Sequence, residues 1–350
     1  MSRSSPRPIS AALLTAAVLA VGAARVAGAG DAAAAPRART FELTYEAVVR
    51  DLPAGAARVE IWVPYPTSDA NQQVEVAGVA APYPTEVRRE PLLGNSVLHL
   101  AAEHPDRSAI TVAMTARVTR TEWVSRPFAA AQAHWQGPLQ PAVAHWLRPD
   151  RLVPNDERIR TLAQSVTAGK RTDLEKARAI YDYVVATMSY DKQGTGWGQG
   201  DIYWACDAKR GNCTDFHALF TGLARAVGIP AKFEIGFPIP PDRGAGKIAG
   251  YHCWSEFYLA GHGWVPVDAS EARKHPEKKD YFFGALDEDR VQFSAGRDLV
   301  LAPPQQGAPL NYFVYPYVEV DGKPHQAVEL TFAYRDLPGV STAAAGARRR

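Results

Sequence analysis

Three residues of the chain, Cys213, His252 and Asp268, have the types and the order that nucleophilic thiol catalysis requires. Cys213 is predicted to lie in the first turn of a helix, where free backbone N–H groups and the helix dipole favour a thiolate. His252 is predicted to open a strand, from which its imidazole could pair with that thiolate and protonate a leaving amine. Asp268 follows the next strand and could orient the imidazole, which completes a Cys-His-Asp arrangement of nucleophile, base and orienting group.

Hydrophobic patterns predict the helix and the strands that would position these side chains. A helix is predicted over 213–227, capped by Asn212 and ended by Gly228 and Pro230. Its apolar residues repeat at helical spacing, at Phe216, Leu219, Phe220, Leu223 and Val227. Strands are predicted over 231–237, 252–259 and 263–267. The turn between the last two is short, so they should pair antiparallel and bring His252 and Asp268 side by side if both lie at the same end.

Composition and the positions of Pro and Gly residues divide the rest of the chain into segments. Regularly spaced short strands between Pro and Gly turns predict a β-sandwich over 40–122. Asn155 is predicted to cap one helix, and Thr172 and Glu175 form a predicted capping box at the start of the next. The predicted organisation is a signal peptide at 1–29, a linker at 30–39, an N-terminal β-sandwich domain at 40–122, a connector at 123–154, a catalytic core at 155–290, a C-terminal β extension at 291–340 and a disordered tail at 341–350.

The N-terminus has the pattern of a secretory signal peptide. Arg3 and Arg7 precede an apolar run over 11–24, and Ala27-Gly28-Ala29 forms a small-residue cleavage site. The run is shorter than the roughly 20 residues that span a bilayer, so a membrane anchor is the weaker interpretation. We therefore expect cleavage after Ala29 and a periplasmic or secreted protein. Removal of this segment changes the formal charge from +2 to −1, because it contains three arginines and no acid.

Composition excludes several functional classes. The chain has 350 residues, of which 46% are hydrophobic, so a folded core is expected. A net charge near zero argues against nucleic-acid binding. Three cysteines are too few for a disulfide scaffold and lack the spacing of a zinc site. With no metal-ligand cluster or nucleotide motif apparent, no metal and no cofactor are expected, and the oligomeric state stays open.

Two segments around the three residues resemble the transglutaminase-like superfamily. These segments are GNCTDFHALFTGLARAVGIPAKFEIGF, which contains Cys213, and GYHCWSEFYLAGHGWVPVDAS, which contains His252 and Asp268. The resemblance covers about 155–290. It implies an α+β fold, a papain-like transglutaminase core in which the Cys helix packs on an antiparallel sheet, preceded by the N-terminal β-sandwich domain. It also implies that Cys213 is the nucleophile, His252 the general base and acid, and Asp268 the orienting residue.

The resemblance further implies an oxyanion hole made by the backbone N–H of the cysteine and an upstream side-chain donor. The candidates for that donor are Trp197, Tyr203 and Trp204. Trp197 lies in a Gly-rich stretch over 194–200, which lacks the Lys-Ser/Thr of a phosphate-binding loop.

The expected activity is that of an exported thiol enzyme that acts on protein or peptide amides through a thioester. Hydrolysis (a peptidase or amidase) and transamidation share the acylation step, and the sequence does not choose between them. An alternative is a binding or scaffold protein with an inactive core. A redox protein using Cys206 and Cys213 lacks the Cys-x-x-Cys spacing. Whether Cys206 and Cys253 form a disulfide stays open.

Overall fold

The computed structural model describes Met1 and residues 35–128 and 137–338. The predicted signal peptide at 1–29, most of the 30–39 linker and the 341–350 tail lie outside the described residues. Residues from Pro36 onward belong to one compact unit. Among the described residues, we find no helix with the length and apolar character needed to cross a bilayer.

The strands of the described part are numbered in chain order. They are β1 Ala38–Val49, β2 Arg58–Pro64, β3 Gln72–Ala80, β4 Thr85–Arg89, β5 Ser96–Glu103, β6 Ile110–Thr121, β7 Trp123–Val124, β8 Ser189–Tyr190, β9 Arg210–Gly211, β10 Ala231–Pro238, β11 Ala245–Lys247, β12 His252–Leu259, β13 Gly263–Val267, β14 Ala285–Leu286, β15 Arg290–Ala295, β16 Tyr317–Val320, β17 Lys323–Pro324 and β18 Val328–Asp336.

The helices lie mainly between β7 and β10. They are α1 Pro141–Ala144, α2 Glu157–Val166, α3 Asp173–Thr187, α4 Ile202–Ala208, α5 Cys213–Ala226 and α6 Ala269–Lys274, with 3-10 turns at His145–Leu147 and Pro276–Lys278. The predicted capping box of Thr172 and Glu175 begins α3. The α2 helix is capped by Asp156 instead of Asn155, because the Asp156 carboxylate accepts the N–H of Ile159.

A four-stranded antiparallel sheet in the order β13-β12-β10-β15 supports the central helix α5. Every residue of α5 from Cys213 to Arg225 is buried. The helix lies against β10 and β12 on one side and against α2, α3, α4 and α6 on the others. The structure thus has the α+β core that the sequence predicts, with the Cys helix packed on an antiparallel sheet.

Strands from both ends of the chain build two further sheets. Their orders are β11-β18-β1-β6-β3 and β17-β16-β2-β5-β4. The apolar residues of both sheets share one core, which extends to residues of β10 and β15. The β-sandwich predicted over 40–122 is therefore not confirmed as a separate domain: β16 and β18 extend its sheets, and its core is continuous with that of the central sheet.

Asp321 and Gly322 form a tight turn between two C-terminal strands. Asp321 and Gly322 both have positive φ, and the turn joins β16 to the two-residue strand β17. The chain then leaves this sheet, and β18 pairs with β1 in the other one. The turn follows from its own two residues, whereas the pairing of β18 with β1 depends on packing between distant parts of the chain.

Candidate active site

Local sequence positions Cys213 at the start of α5. The Asn212 side chain accepts the N–H of Thr214, and the Asp215 carboxylate accepts the N–H of Asn212, so the two form a capping box. Such a cap stabilises a helix by about 1 kcal/mol. The preceding Gly211 has φ +143, and a Cβ there would lie 2.2 Å from Asp215 Oδ2, so this close turn requires glycine.

The Gly-rich stretch over 194–200 is a loop that is tied to this cap. The backbone N–H groups of Gly198 and Gly200 donate to the two carboxylate oxygens of Asp215, at 2.8 and 3.0 Å. The Arg297 guanidinium donates to the carbonyl of Gly200 at 2.8 Å. Burial raises the pKa of Asp215 to about 6, although these N–H groups favour its charged form. The loop therefore serves as a support for the first turn of α5.

The structure brings His252 and Asp268 together at the adjoining strands. Asp268 directly follows β13 and caps α6, and its Oδ2 lies 2.7 Å from His252 Nε2. The same oxygen accepts Arg290 Nη1 at 3.0 Å. The other oxygen accepts the Ser270 hydroxyl at 3.0 Å and the N–H of Glu271 at 2.9 Å. Every lone-pair direction of this buried carboxylate is thus engaged, which holds it in one orientation.

The pKa values of the three predicted site residues indicate a charged pair. Burial alone would lower the pKa of His252, but Asp268 and Cys213 more than offset it and raise it to about 10. Burial alone would raise the pKa of Cys213, but hydrogen bonds to Cys253 and His252 and the charge of His252 hold it well below its usual value. The Asp268 pKa also lies well below its usual value, since His252 and Arg290 outweigh its burial. These shifts have the directions expected for a thiolate–imidazolium pair oriented by a carboxylate.

Arg290 is a residue of this centre that the sequence patterns did not indicate. It lies in β15, where it bridges Asp268 and Asp287, with 3.0 Å to each carboxylate. Gly236 lets β15 approach: it pairs with His252 on one side and Gln292 on the other, and a Cβ there would lie 1.9 Å from the carbonyl oxygen of Val291. The sequence signal for Arg290 is weak: it is an arginine within a buried strand, and no motif surrounds it.

His217 and Cys253 form the other side of the site. His217 Nδ1 lies 2.8 Å from the Cys213 carbonyl oxygen, and the N–H of Ala269 donates to His217 Nε2 at 3.2 Å. The Cys253 sulfur lies 3.7 Å from His217 Nδ1 and 3.8 Å from the Thr214 hydroxyl, and it hydrogen-bonds with the Cys213 sulfur. All three cysteines are free, so Cys206 and Cys253 do not form a disulfide.

The side-chain groups of the three oxyanion candidates are engaged with other parts of the chain. The Trp197 indole N–H donates to the Gly194 carbonyl at 3.0 Å. The Tyr203 hydroxyl donates to Asp156, the cap of α2. The Trp204 indole nitrogen packs so closely on Gly196 that a Cβ there would lie 2.4 Å from it. Their role as oxyanion donors stays a prediction that these contacts do not favour.

A cleft of about 500 Å³ opens beside His252 and includes Tyr190, a residue the sequence patterns did not single out. Burial and the nearby Cys213 and Cys253 sulfurs raise the pKa of Tyr190. Cys213 itself is only 1% exposed. Because His252 lines this cleft, we expect a substrate to approach the sulfur from there. Tyr190 and Tyr251 are the two tyrosines that line this cleft.

One grouping near the site could hold a cation by distance alone. Ligand atoms of His252, Asp268 and Glu271 lie within 4.8 Å of one another. However, the Asp268 oxygen that faces His252 also accepts the Arg290 guanidinium at 3.0 Å. That fixed positive charge disfavours a second cation at the same oxygen.

Comparisons with known proteins show which family this part of the chain resembles. Residues 160–269, which include Cys213, His252 and Asp268, match the model of the transglutaminase-like superfamily. An uncharacterized protein of Haemophilus influenzae is 32% identical over 214 residues, which cover 52% of this chain and 58% of that protein. YebA of Bacillus subtilis is 27% identical over 134 residues, 34% of this chain and 18% of YebA. The chain thus spans little more than half of the first relative and a smaller part of the second.

A solved structure from Cytophaga hutchinsonii shares the fold. It belongs to a candidate cysteine protease, and the two superpose with a TM-score of 0.57 at 16% identity. The match covers 87% of this chain and 93% of that chain. The likeness therefore extends beyond the matched 160–269 segment to most of the outer sheets.

Proposed function

We propose that this chain, whose residues 160–269 match the transglutaminase-like superfamily, is a thiol enzyme acting on amide bonds. The carrying observation is the buried Cys213–His252–Asp268 arrangement, in which the thiol has a lowered pKa and the imidazole a raised one. An inactive scaffold would not need a buried ion pair, because removing two charges from water has a desolvation cost that lowers stability.

The acylation step uses each of the three residues. The Cys213 thiolate attacks the amide carbonyl carbon, and the carbonyl oxygen takes the negative charge of the tetrahedral intermediate. The backbone N–H of Cys213, for which no acceptor is found among the described residues, is available to that oxygen. The His252 imidazolium then protonates the amine nitrogen, the C–N bond breaks, and a thioester remains on Cys213.

The second step returns the enzyme to its starting state. His252, now neutral, removes a proton from water, the hydroxide oxygen attacks the thioester carbonyl, and the Cys213 thiolate leaves as a carboxylic acid forms. We propose water as the main acceptor, because Trp197, Tyr203, Trp204 and Trp254 do not line the cleft. Trp254 is buried beneath Arg290 and donates to Glu234. An aromatic wall that would exclude water in favour of an amine is thus not built by these four residues.

We also propose that the chain is exported, on the basis of the N-terminal pattern over 1–29. This part of the proposal depends on the sequence alone. Cell fractionation with and without that segment tests it, and a full-length protein that stays in the cytoplasm would contradict it.

The decisive experiment offers the enzyme a glutamine-containing peptide together with a labelled primary amine. Product mass separates backbone cleavage, side-chain deamidation and amine addition. We expect the water products from the wild type and none from Cys213→Ala. Cys206→Ala is the matched control, because Cys206 is a half-buried free thiol on α4, and it should retain activity.

Thiol reactivity separates the enzyme from the scaffold alternative without a known substrate. An ordinary thiol has a pKa of about 8.5. We expect iodoacetamide to alkylate Cys213 well below that pH, and faster in the folded protein than in the unfolded one. Burial raises the pKa of Cys206 and of Cys253, so these two provide internal references. Equal alkylation of all three thiols would favour the scaffold.

A further inference from the structure

The cleft beside His252 carries more positive than negative groups. Its cationic lining residues are Lys192, Lys247, Lys274, Lys278 and Arg290, its acidic ones Glu271, Asp287 and Asp289, and it also holds His275. The whole chain has a formal charge of only +2, so this excess is a local feature of the site and not a property of the surface in general.

Cations neutralise each acid of the cleft. Two of these cations also lie in the cleft lining, and the third, Arg39, reaches in from β1. The pairs are Asp287 with Arg290 at 3.0 Å, Asp289 with Arg39 at 2.7 Å, and Glu271 with Lys274. The acids therefore present little free negative charge to a ligand.

Three lysines of the lining have no such partner. Lys192, Lys247 and Lys278 are exposed, and no carboxylate of the described residues lies within ion-pair distance of them. The Lys192 ammonium lies over aromatic faces, 5.7 Å from the Tyr190 ring centre and 6.0 Å from that of Trp197. The three come from separate segments: the loop after β8, the end of β11, and the 3-10 turn after α6.

From this charge distribution we infer that the cleft selects acidic peptides, with carboxylates close to the amide that Cys213 attacks. The inference rests on the proposed function and names its substrate class. Ammonium groups on separate segments would contact carboxylates on either side of the scissile bond, which fixes the register of the peptide. Exposed pairs contribute little singly, so the selection arises from the three acting together.

The first test measures charge selectivity at the sulfur and needs no substrate. Iodoacetate is anionic and iodoacetamide is neutral, so the ratio of their alkylation rates at Cys213 reports the local potential. We expect a ratio several times that of N-acetylcysteine. The ratio should fall towards that of N-acetylcysteine in the triple variant Lys192→Gln, Lys247→Gln, Lys278→Gln. It should also fall at high salt, because the screening length for exposed charges is only about 3 Å at 1 M.

The matched control is Lys170→Gln, Lys209→Gln, Lys323→Gln, which removes the same charge from exposed lysines outside this cleft. The control should keep the wild-type ratio. A ratio equal to that of N-acetylcysteine in the wild type, or an equal drop in both triple variants, overturns the inference while leaving a reactive Cys213 and the proposed function intact.

The second test compares three peptides with one glutamine and acidic, neutral or basic flanking residues. We expect the wild type to prefer the acidic peptide by about tenfold in kcat/KM, and the cleft triple variant to lose that preference. Equal turnover of all three peptides contradicts the inference alone. Turnover of none, with ordinary alkylation at Cys213, contradicts the proposed function as well. Circular dichroism of each variant excludes misfolding as the cause.

Discussion

His252 and His217 are both buried and both lie beside Cys213 and Asp268, yet their pKa values shift in opposite directions. His252 Nε2 lies 2.7 Å from one Asp268 oxygen, and His217 Nε2 lies 3.8 Å from the other. The pKa of His252 is raised to about 10, whereas burial lowers the pKa of His217 despite the same carboxylate.

Their hydrogen bonds explain this difference. The Ala269 N–H donates to His217 Nε2, so that nitrogen carries no proton, and Nδ1–H donates to the Cys213 carbonyl. His217 is thereby satisfied as a neutral ring. His252 Nε2 faces a carboxylate oxygen and its other side faces the thiolate, so both nitrogens benefit from a proton. Proximity to a carboxylate alone does not charge a histidine; the partners of both nitrogens do.

Replacement of His252 should give the largest effect. His252→Gln keeps a polar side chain but removes the imidazolium, so Cys213 loses its cationic partner and the leaving amine loses its acid. We expect kcat to fall by at least about a thousandfold. The pH profile of iodoacetamide alkylation should move to higher pH. A profile unchanged from the wild type would show that the thiolate does not depend on His252.

The charge of Asp268 should give the next effect, and it should appear in the pH dependence. The acylation step needs the imidazolium, so wild-type kcat/KM should fall as pH rises through about 10, the pKa of His252. Asp268→Asn keeps an acceptor oxygen but removes the charge, so this limb should move to lower pH and kcat should drop by about a hundredfold or more. A limb that stays at the same pH would contradict the assignment of the titration to His252.

The same ion pair links pH to folding. His252 binds its proton more tightly in the folded chain than in the unfolded one, so its contribution is fully present below about pH 6.5. It is lost as pH rises through about 10. Thermal unfolding of the wild type and of His252→Gln over this range measures that contribution, and the difference between them should shrink towards the alkaline end.

How far the sequence predicts this centre depends on how local each contact is. The helix cap at Asn212 and the strands 252–259 and 263–267 match α5, β12 and β13, because each is specified by neighbouring residues. The approach of His252 to Asp268 follows from one short hairpin. Arg290 was missed because its partner lies across a sheet, and its strand, RVQFSA, lacks a clear alternation.

The outer sheets show the same limit at a larger scale. Strands β1, β2, β3, β5 and β6 were readable from their periodicity, and β4 and β11 were not. No local signal indicates that β18 should pair with β1 or that β16 should pair with β2, because the register comes from packing between residues far apart in the chain. The oxyanion role of Trp197, Tyr203 and Trp204 stays a prediction, because the sequence does not show where these side chains point.

The neutral histidine should affect stability more than chemistry. His217→Ala leaves the Cys213 carbonyl and the Ala269 N–H without a side-chain partner inside the protein. We expect unfolding to become easier by about 1–3 kcal/mol, measured by urea denaturation. The acid limb of the kcat/KM profile against pH should stay close to that of the wild type. A loss of activity as deep as that of His252→Gln, in a variant that remains folded, would place His217 in the chemistry itself.

Cys253 provides the finest distinction between the two sides of the sulfur. Burial and the adjacent Cys213 charge raise the pKa of Cys253, so it stays a neutral thiol that can donate to the thiolate. Cys253→Ala removes this donor, so the alkylation profile of Cys213 should move slightly to higher pH, with a severalfold fall in kcat/KM at most. Cys253→Ser, which keeps a hydroxyl donor, should restore most of the shift. If serine and alanine behave alike, the neighbouring thiol contributes by packing, and the low pKa of Cys213 depends on the charged side alone.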